Sequence, residues 1–233
     1  AEVLLQFGGE GSGAGQFDDP REIAMDMDGN IYIADHKGGR VQKFDPDGKF
    51  VFLINVEADQ NDNIYIQALA TDYAGKLYVV RGGDILIYST EDGSPAGSIP
   101  GIFPSTNYDA LAISPANELY ALHGTASGED LIKLDTSGQT LWRQQDFIEQ
   151  IDKEATITIL KLAVDGLGNS YAVNMTGGFT SLTPKAPLSI ALAARVKIRA
   201  SSSHRKIFVW TDRGVFISSI QAVFKSLIRA AHI

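Results

Sequence analysis

Polar side chains stand at the same place in four similar stretches of the sequence. Each ends an apolar run that follows a turn containing Gly or Asn, and the set is Asp35, Arg81, His123 and Asn174. If the stretches are repeats of one fold, these side chains form a ring beside the loops of one face, where binding residues concentrate. His36 follows the first of them directly. The sequence therefore predicts a ligand-binding face that carries Asp35, His36, Arg81, His123 and Asn174.

The same positions also fit a purely structural role. Three of the four ring residues face a complementary residue across a short turn, in the pairs Asp35–Arg40, Arg81–Asp84 and His123–Asp130. The acidic and basic members of the pair change places between repeats. Such an exchange preserves an ion pair, but it would reverse the charge of a binding site. An exposed ion pair that closes its own hairpin contributes a few tenths to about 1 kcal/mol. The pattern favours this structural interpretation for the pairs.

Candidate metal ligands and nucleophiles are scarce. His36 and His123 are the histidines of residues 1–183, whereas a catalytic zinc usually needs about three protein ligands. A lone histidine in a turn is expected to be a solvated side chain. Acidic clusters at 26–28 and 59–62 lack the loop spacing of a known calcium motif, and we expect them to be solvated turns. The chain has no Cys, no nucleophile elbow, no phosphate-binding loop and no dinucleotide fingerprint. We expect no catalytic set and no cofactor, and the ligand spacing supports neither a Ca²⁺ nor a Zn²⁺ site.

The polar residues are positioned by a repeated hairpin. The segment EIAMDMDGNIYIA starts at residue 22 and recurs in related form from residues 68, 110 and 161, at intervals of 46, 42 and 51 residues. Two apolar runs joined by a turn with Gly or Asn are typical of a β-hairpin. After the first hairpin, the alternating segment 40–44, a Gly-containing turn and the segment 49–54 complete four strands. Four antiparallel strands at this period are typical of a propeller blade.

The first repeat carries the most detailed pattern. Residues 7–50 contain G-x-G-x-G-x-F-x-x-P, then DMDGNIYIAD and RVQKFDPDGKF, and they resemble the NHL-repeat β-propeller family. The resemblance implies an all-β propeller of four-stranded blades, of which four are clear in this chain, whereas most such propellers have six. It implies little about activity, because families with this fold include RNA-binding proteins, a peptide-amidating lyase, sensor domains and scaffolds.

Two small sets of repeated residues predict the packing of the blades. Small residues suit the innermost strands, where sheets converge, and they are Ala24, Ala70, Ala112 and Ala163. An aromatic recurs at one place in every hairpin and is expected in the core between blades, as Tyr32, Tyr78, Tyr120 and Tyr171.

Charge separates the chain into two parts. Residues 1–180 hold 27 Asp or Glu and 11 Lys or Arg, net −16, whereas residues 181–233 hold one acid and nine bases, net +8. A strongly acidic region repels phosphate, so nucleic acid is not an expected partner. No apolar run reaches 18 residues, so no membrane span is expected.

These observations favour a non-enzymatic binding or scaffold module for a protein, peptide or glycan ligand. The alternative is a metal-dependent propeller lyase or hydrolase with its site in the central channel. The oligomeric state is left open. The lack of cysteine suits an extracytoplasmic protein as well as a cytoplasmic one, and we slightly favour an extracytoplasmic mature form.

The sequence changes character after Leu182, where acids and family landmarks disappear together. A degenerate fifth blade is one interpretation, since 196–211 keeps a hairpin outline. We favour the other, an out-of-frame translation of the next blade: over 221–233 a shifted frame permits GGVQVFDSGGTY, which parallels GGRVQKFDPDGKF at 38–50. The expected domains are then blades over 1–183, with a closing strand at 3–7, and an atypical basic tail over 184–233. On this interpretation, we expect the natural protein to have six blades.

Overall fold

The fold consists of β-strands. The computed structural model describes residues 5–56, 65–101, 108–124, 128–146, 159–165, 168–174, 179–182, 197–200 and 207–210. Within these ranges the chain forms seventeen strands and no helix. It divides into two compact units, Ala1–Asp146 and Phe147–Ile233, and each is described by itself.

The first unit contains three four-stranded antiparallel sheets, one for each of the first three repeats, which we call blades 1 to 3. Blade 1 comprises β1 Pro20–Met25, β2 Ile31–Asp35, β3 Arg40–Phe44 and β4 Phe50–Asn55. Blade 2 comprises β5 Ile66–Thr71, β6 Lys76–Arg81, β7 Asp84–Ser89 and β8 Pro95–Ile99. Blade 3 comprises β9 Tyr108–Ile113, β10 Leu119–Gly124, β11 Glu129–Leu134 and β12 Thr140–Gln144. Each strand pairs with the next in chain order, so the predicted four-stranded blade is confirmed.

The second unit contains the fourth repeat. Its three strands are β13 Ile159–Val164, β14 Ser170–Asn174 and β15 Phe179–Leu182. A separate antiparallel pair follows, β16 Lys197–Ala200 and β17 Ile207–Trp210. This pair has the hairpin outline expected of a fifth blade. Most of the tail, like the polar segment 147–158, lies outside the described residues, so its origin stays a prediction.

An aspartate organises the first hairpin turn of blades 1 and 2 and of the fourth repeat. In blade 2, the Asp72 carboxylate accepts hydrogen bonds from the N–H groups of Ala74 and Lys76, at 2.9 and 2.8 Å, and from the Tyr78 hydroxyl at 3.0 Å. Gly75 takes the positive φ of +83° that the turn requires. The same Asp-to-Tyr bond, at 2.9 Å, recurs in the pairs Asp26–Tyr32 and Asp165–Tyr171. We expected the acidic cluster at 26–28 to be a solvated turn, but its first member is a structural acceptor.

The cores lie between adjacent blades, as the repeated residues predicted. Tyr32 and Tyr78 are fully buried and Tyr120 is 1 % exposed. The first strands of neighbouring blades pack together, β1 against β5 and β5 against β9. Their alanines are buried at 7–8 % exposure, Ala24, Ala70 and Ala112. In the fourth repeat the equivalent Ala163 and Tyr171 are only partly buried. A fully buried side chain of tyrosine or leucine size contributes roughly 1.5–3 kcal/mol, so the contacts between blades stabilise the unit.

Blade 1 has a neighbour in the first unit on one side only. Leu69 and Leu111 of blades 2 and 3 are each 7 % exposed, whereas Ile23, the matching residue of blade 1, is 53 % exposed. The segment predicted as a closing strand forms no strand over its described residues 5–7. There Phe7 instead packs on Phe44, with ring centroids 4.8 Å apart. Residues 3 and 4 lie outside the described residues, so ring closure by this segment stays a prediction.

The turn aspartate yields a first prediction. Replacing Asp72 with Ala leaves two turn N–H groups and the buried Tyr78 hydroxyl without their acceptor. We expect the free energy of unfolding to fall by about 1–3 kcal/mol, measured by urea denaturation. The matched control is Asp47→Ala, which removes an exposed aspartate from the β3–β4 turn and should change stability by less than about 0.5 kcal/mol. Equal effects of the two substitutions would contradict the assigned role.

Candidate ligand-binding face

Strand register brings the predicted ring residues to one edge of their blades. Each lies at the end of the second strand, opposite the start of the first strand, in the pairs Asp35–Pro20, Arg81–Ile66, His123–Tyr108 and Asn174–Ile159. We call this edge of the described strands the connector face. Asp35, Arg81 and His123 belong to consecutive blades of the first unit. Asn174 belongs to the second unit, and its side chain lies outside the described residues.

Asp35 and Arg40 form a buried ion pair, so the expectation of an exposed pair is wrong. The Asp35 side chain is fully buried, that of Arg40 is 10 % exposed, and Nη2 lies 3.1 Å from Oδ2. Asp35 also accepts hydrogen bonds from the N–H groups of Asp18 and Asp19, at 3.0 and 2.7 Å. Both oxygens of this carboxylate are therefore engaged within the fold.

Arg40 in turn holds the glycine-rich connector. Its guanidinium donates to the carbonyls of Gly11 and Gln16, at 3.1 and 3.0 Å, and to that of Ser12. Gly11 and Gly15 adopt positive φ angles of +143° and +74°, which lets the connector curl around these donors. The glycine-rich connector of the first repeat thus supplies carbonyl acceptors to an arginine of its own blade.

Blade 2 carries the reversed pair, but its members do not engage each other. The register places Arg81 opposite Asp84, and the Asp84 carboxylate accepts the N–H of Gly101 at 3.0 Å. Arg81 is 6 % exposed, and its Nε and Nη1 have no hydrogen-bond partner. Among the described residues, this arginine forms no ion pair. The prediction that a charge swap preserves the pair is therefore wrong here.

Blade 3 places a neutral histidine in the ring. His123 is fully buried, and its ring meets that of Tyr108 edge-on at 5.4 Å between centroids. Burial lowers the pKa of His123 from 6.5, and nearby Arg143 acts in the same direction while Asp130 opposes them. The Asp130 carboxylate accepts a hydrogen bond from Arg143 Nε at 2.6 Å and one from the Asp146 N–H at 2.9 Å. His123 therefore does not form a charged pair with Asp130 at neutral pH.

His36 bridges two blades. We expected a solvated turn residue, but its Nδ1 lies 2.7 Å from the carbonyl oxygen of Ile66 at the start of β5. Its ring stacks on Tyr65 at 4.9 Å between centroids and 13° between planes. Tyr65 is 50 % exposed, so the stacked pair forms an aromatic rim on the connector face.

Register shifts at the start of the first strands identify residues that the sequence reasoning missed. In every repeat one residue of this strand is skipped in the pairing, and the set is Arg21, Gln67, Asp109 and Leu160. Such bulges re-aim a side chain and are common beside functional sites. A polar residue three places before the repeated alanine was the available signal in the first three repeats.

Two of these bulge residues have unusual surroundings. The Gln67 side-chain oxygen is buried without a hydrogen-bond partner. Asp109 is half-buried, and its carboxyl group is hydrogen-bonded to Glu129 and to the N–H of Gly124. Burial raises the pKa of Asp109 above 3.8, although both hydrogen bonds act in the opposite direction. In blade 2, the connector face thus carries buried polar atoms that have no hydrogen-bond partner.

The described residues contain no group of three or more His, Cys, Asp or Glu side chains placed to hold a metal ion. Over the same part of the chain, no helix is long and apolar enough to cross a membrane.

The stacked four-stranded antiparallel blades define a β-propeller protein. Residues 17–44 match the sequence model of the NHL repeat. The chain therefore carries an NHL repeat, as its resemblance implied.

Similar proteins agree on this architecture. Protein lin-41 of Caenorhabditis elegans is 46 % identical over 48 residues, which are 21 % of this chain and 4 % of that protein. The solved structure of streptogramin B lyase has a TM-score of 0.56 and 13 % identity over 87 % of this chain and 69 % of its own. A protein of unknown function from Bacteroides caccae has a TM-score of 0.53 and 13 % identity, over 83 % of this chain and 72 % of its own. At these identities the two structures show the fold alone.

The buried pair of blade 1 yields a second prediction. Replacing Arg40 with Met leaves the buried Asp35 carboxylate uncompensated and the connector carbonyls without donors. We expect a loss of about 3–5 kcal/mol in the free energy of unfolding, measured by urea denaturation. Arg21→Met is the matched control, because the Arg21–Asp19 pair is 46 % exposed at the arginine and should contribute about 1 kcal/mol or less. The double variant D35N/R40M should recover part of the stability lost in R40M. The assignment would be refuted if R40M lost less stability than the Arg21→Met control.

Asp109 yields a prediction about pH. A carboxyl group with a raised pKa in the folded state favours folding most when it is protonated. Its contribution is present at low pH and is lost as the pH rises through the raised pKa. We expect the stability of the wild-type protein to decline relative to D109N as the pH rises from the ordinary carboxyl pKa of 3.8 through the raised pKa of Asp109, followed by urea denaturation at each pH. The variant D28N, which replaces an exposed aspartate, should show the same pH dependence of stability as the wild type. The prediction would be refuted if D109N also showed that dependence.

Proposed function

We propose that this propeller is a non-enzymatic binding module that takes a protein segment on its connector face. The observation that carries the proposal is the set of buried polar atoms left unpartnered at this face. These atoms are Arg81 Nε and Nη1, the Gln67 side-chain oxygen and the Tyr108 hydroxyl. Leaving a buried donor or acceptor unpaired costs about 1–3 kcal/mol. A fold that tolerates several at one place gains a site whose groups are already desolvated and oriented for a partner.

The chemistry of the face supports binding over catalysis. Of the two histidines placed at this face, His123 is fully buried and His36 is held by the Ile66 carbonyl and the Tyr65 ring. Asp130, near His123, is engaged by Arg143 and a backbone N–H. The alternative of a metal-dependent lyase or hydrolase has a direct test. A stoichiometric metal in the purified protein, lost on mutating His123 or Asp35, would favour it over the binding module.

A protein segment suits the face better than the other ligand classes. The acidic charge of residues 1–180, net −16, repels nucleic-acid phosphates. Extended polypeptide offers backbone N–H groups for the Gln67 oxygen and carboxylates for Arg81. The exposed aromatic rim of His36 and Tyr65 adds apolar contact area, and aromatic residues are enriched at protein interfaces.

The proposal predicts selective peptide binding. A random peptide display library is selected against the wild-type protein and, in parallel, against a variant with Arg81→Met and Tyr65→Ala. We expect a shared motif to be enriched on the wild type, and synthetic peptides with that motif to bind the variant at least about tenfold more weakly, a loss of 1.4 kcal/mol. Calorimetry measures the affinities.

The matched control replaces Lys76 and Tyr73, which lie at the opposite edge of blade 2, by Met and Ala. It should bind the selected peptides as the wild type does. No enriched motif, or peptides that lose affinity only for the control, would overturn the proposal.

A further inference from the structure

We infer that the outer strand of blade 1, β4, pairs with the same strand of a second copy of the chain, across a two-fold axis at Leu53. β4 is the last strand of its sheet and, among the described strands, it pairs with β3 alone. A strand in this position presents a row of unpaired N–H and C=O groups, which can template the addition of another strand. The pairing uses backbone groups of β4 and none of the atoms assigned to peptide binding above.

The register shows which backbone groups of β4 are free. Val56 donates its N–H to the carbonyl of Gly39, so these two residues form a hydrogen-bonded pair. Hydrogen-bonded and non-hydrogen-bonded pairs alternate along an antiparallel ladder, and the same register continues to Asn55 and Leu53, opposite Arg40 and Gln42. Leu53 and Asn55 therefore direct their N–H and C=O groups away from β3.

The outer strands of blades 2 and 3 are protected against such pairing. β8, with the sequence PAGSI, begins with a proline and contains Gly97 at a φ of +135°. β12, with the sequence TLWRQ, carries a charged arginine. Proline and charged side chains are among the devices that keep edge strands from pairing.

β4 has neither of these devices. Its sequence, FVFLIN, contains no charge, no proline and no glycine, which is the composition of a segment that pairs readily. A register shift near the start of the outer strand occurs in all three blades and does not distinguish them. At one equivalent ladder position the blades place Leu53, Ser98 and Arg143, so blade 1 carries the apolar residue there.

The side chains of this strand add apolar surface to the free backbone groups. Phe52 and Ile54 lie against Gly93 of blade 2. Alternate residues of a strand point to opposite faces, so Leu53 lies on the face turned away from blade 2, where it is 39 % exposed. Val51, the residue skipped in the pairing with β3, is 46 % exposed. A partner strand would cover both side chains.

A second copy fits this edge because β4 is compatible with itself. In an antiparallel pair with a two-fold axis at Leu53, the two leucines face each other and exchange two N–H···O=C hydrogen bonds. Val51 of each copy then stands opposite Asn55 of the other, and no charged residue of β4 opposes another. A two-fold contact uses the same surface on both copies, so it closes as a dimer.

Charge favours this edge over the rest of the surface. The chain has a formal net charge of −8, so two copies repel each other. An uncharged strand with free backbone groups is a place where they can approach without setting like charges opposite one another. Salt screens such repulsion, so we expect the association to strengthen when the salt concentration is raised.

The size of the contact limits its strength. Six residues of strand span about 20 Å, and an edge about 10 Å thick then buries on the order of 400 Å² in the pair. Stable specific interfaces bury about 1,200–2,000 Å². We therefore expect a weak dimer, with a Kd of roughly 0.05–0.5 mM.

The test is sedimentation equilibrium of the whole protein from about 0.01 mM to about 1 mM. The mean mass of the wild type should rise from that of the monomer toward that of the dimer. L53K sets two like charges opposite each other and should raise the Kd at least about tenfold. The matched control S98K makes the same change at the equivalent position of blade 2 and should associate as the wild type does.

A charge exchange tests the position of the axis. L53K and L53E should each remain monomeric alone, whereas an equimolar mixture of the two should form a heterodimer, because opposite charges then face each other across the pair. Urea denaturation of each variant at low concentration checks that it is folded. Because the wild type is measured first, a variant that fails to fold does not leave the question open.

Three results would overturn the inference. They are a wild type that stays monomeric over the whole concentration range, equal association of L53K and the wild type, and the absence of a heterodimer in the mixture. If the wild type stays monomeric but selected peptides bind it and lose affinity for L53K, the edge takes a foreign strand and the pairing of two copies is wrong.

Discussion

The buried contact between Arg40 and Asp35 determines how the chain enters its first blade. A guanidinium and a carboxylate removed from water stabilise a fold only when their remaining donors and acceptors are also satisfied. The connector meets this condition with the carbonyls of Gly11, Ser12 and Gln16 for the arginine and the N–H groups of Asp18 and Asp19 for the aspartate. The glycines allow the chain to present these groups, so the connector, the pair and the blade edge depend on one another.

The same edge is built differently in each blade, and this variation separates structure from function. Asp35 and Asp130 are engaged by arginine and backbone donors, and they tie their blades to adjoining chain segments. Arg81 has neither kind of partner. A protein tolerates such an unsatisfied group where it serves a purpose other than stability, which is why blade 2 is the focus of the binding proposal.

The opposite edge of the blades is built more uniformly. The Asp-to-Tyr hydrogen bond closes the first hairpin in blades 1 and 2 and in the fourth repeat. In blade 3, Ser114 takes the place of the aspartate and Glu118 contacts the Tyr120 hydroxyl at 3.4 Å. Because Tyr32, Tyr78 and Tyr120 are both core residues and turn partners, hairpin closure and packing between blades are linked in the first unit. This leaves the connector edge free to carry different side chains.

Much of the architecture could be predicted from the sequence. The hairpin repeat, the buried tyrosines and the alanines of the first strands all follow from alternation of side chains and from recurrence, which are local properties of the chain. The equivalence of Asp35, Arg81 and His123 follows from the same register.

Only the tertiary structure decided what those residues do. The buried Asp35–Arg40 pair needs hydrogen-bond partners from a connector about 25 residues before Arg40 in the chain. No local sequence pattern shows this dependence. The isolation of Arg81 depends on Asp84 accepting the backbone N–H of Gly101, and the placement of Gln67 and Asp109 as bulge residues depends on a skipped pair in the ladder. Charge pairing and desolvation are set by distances in three dimensions, whereas the sequence specifies only which charges are available.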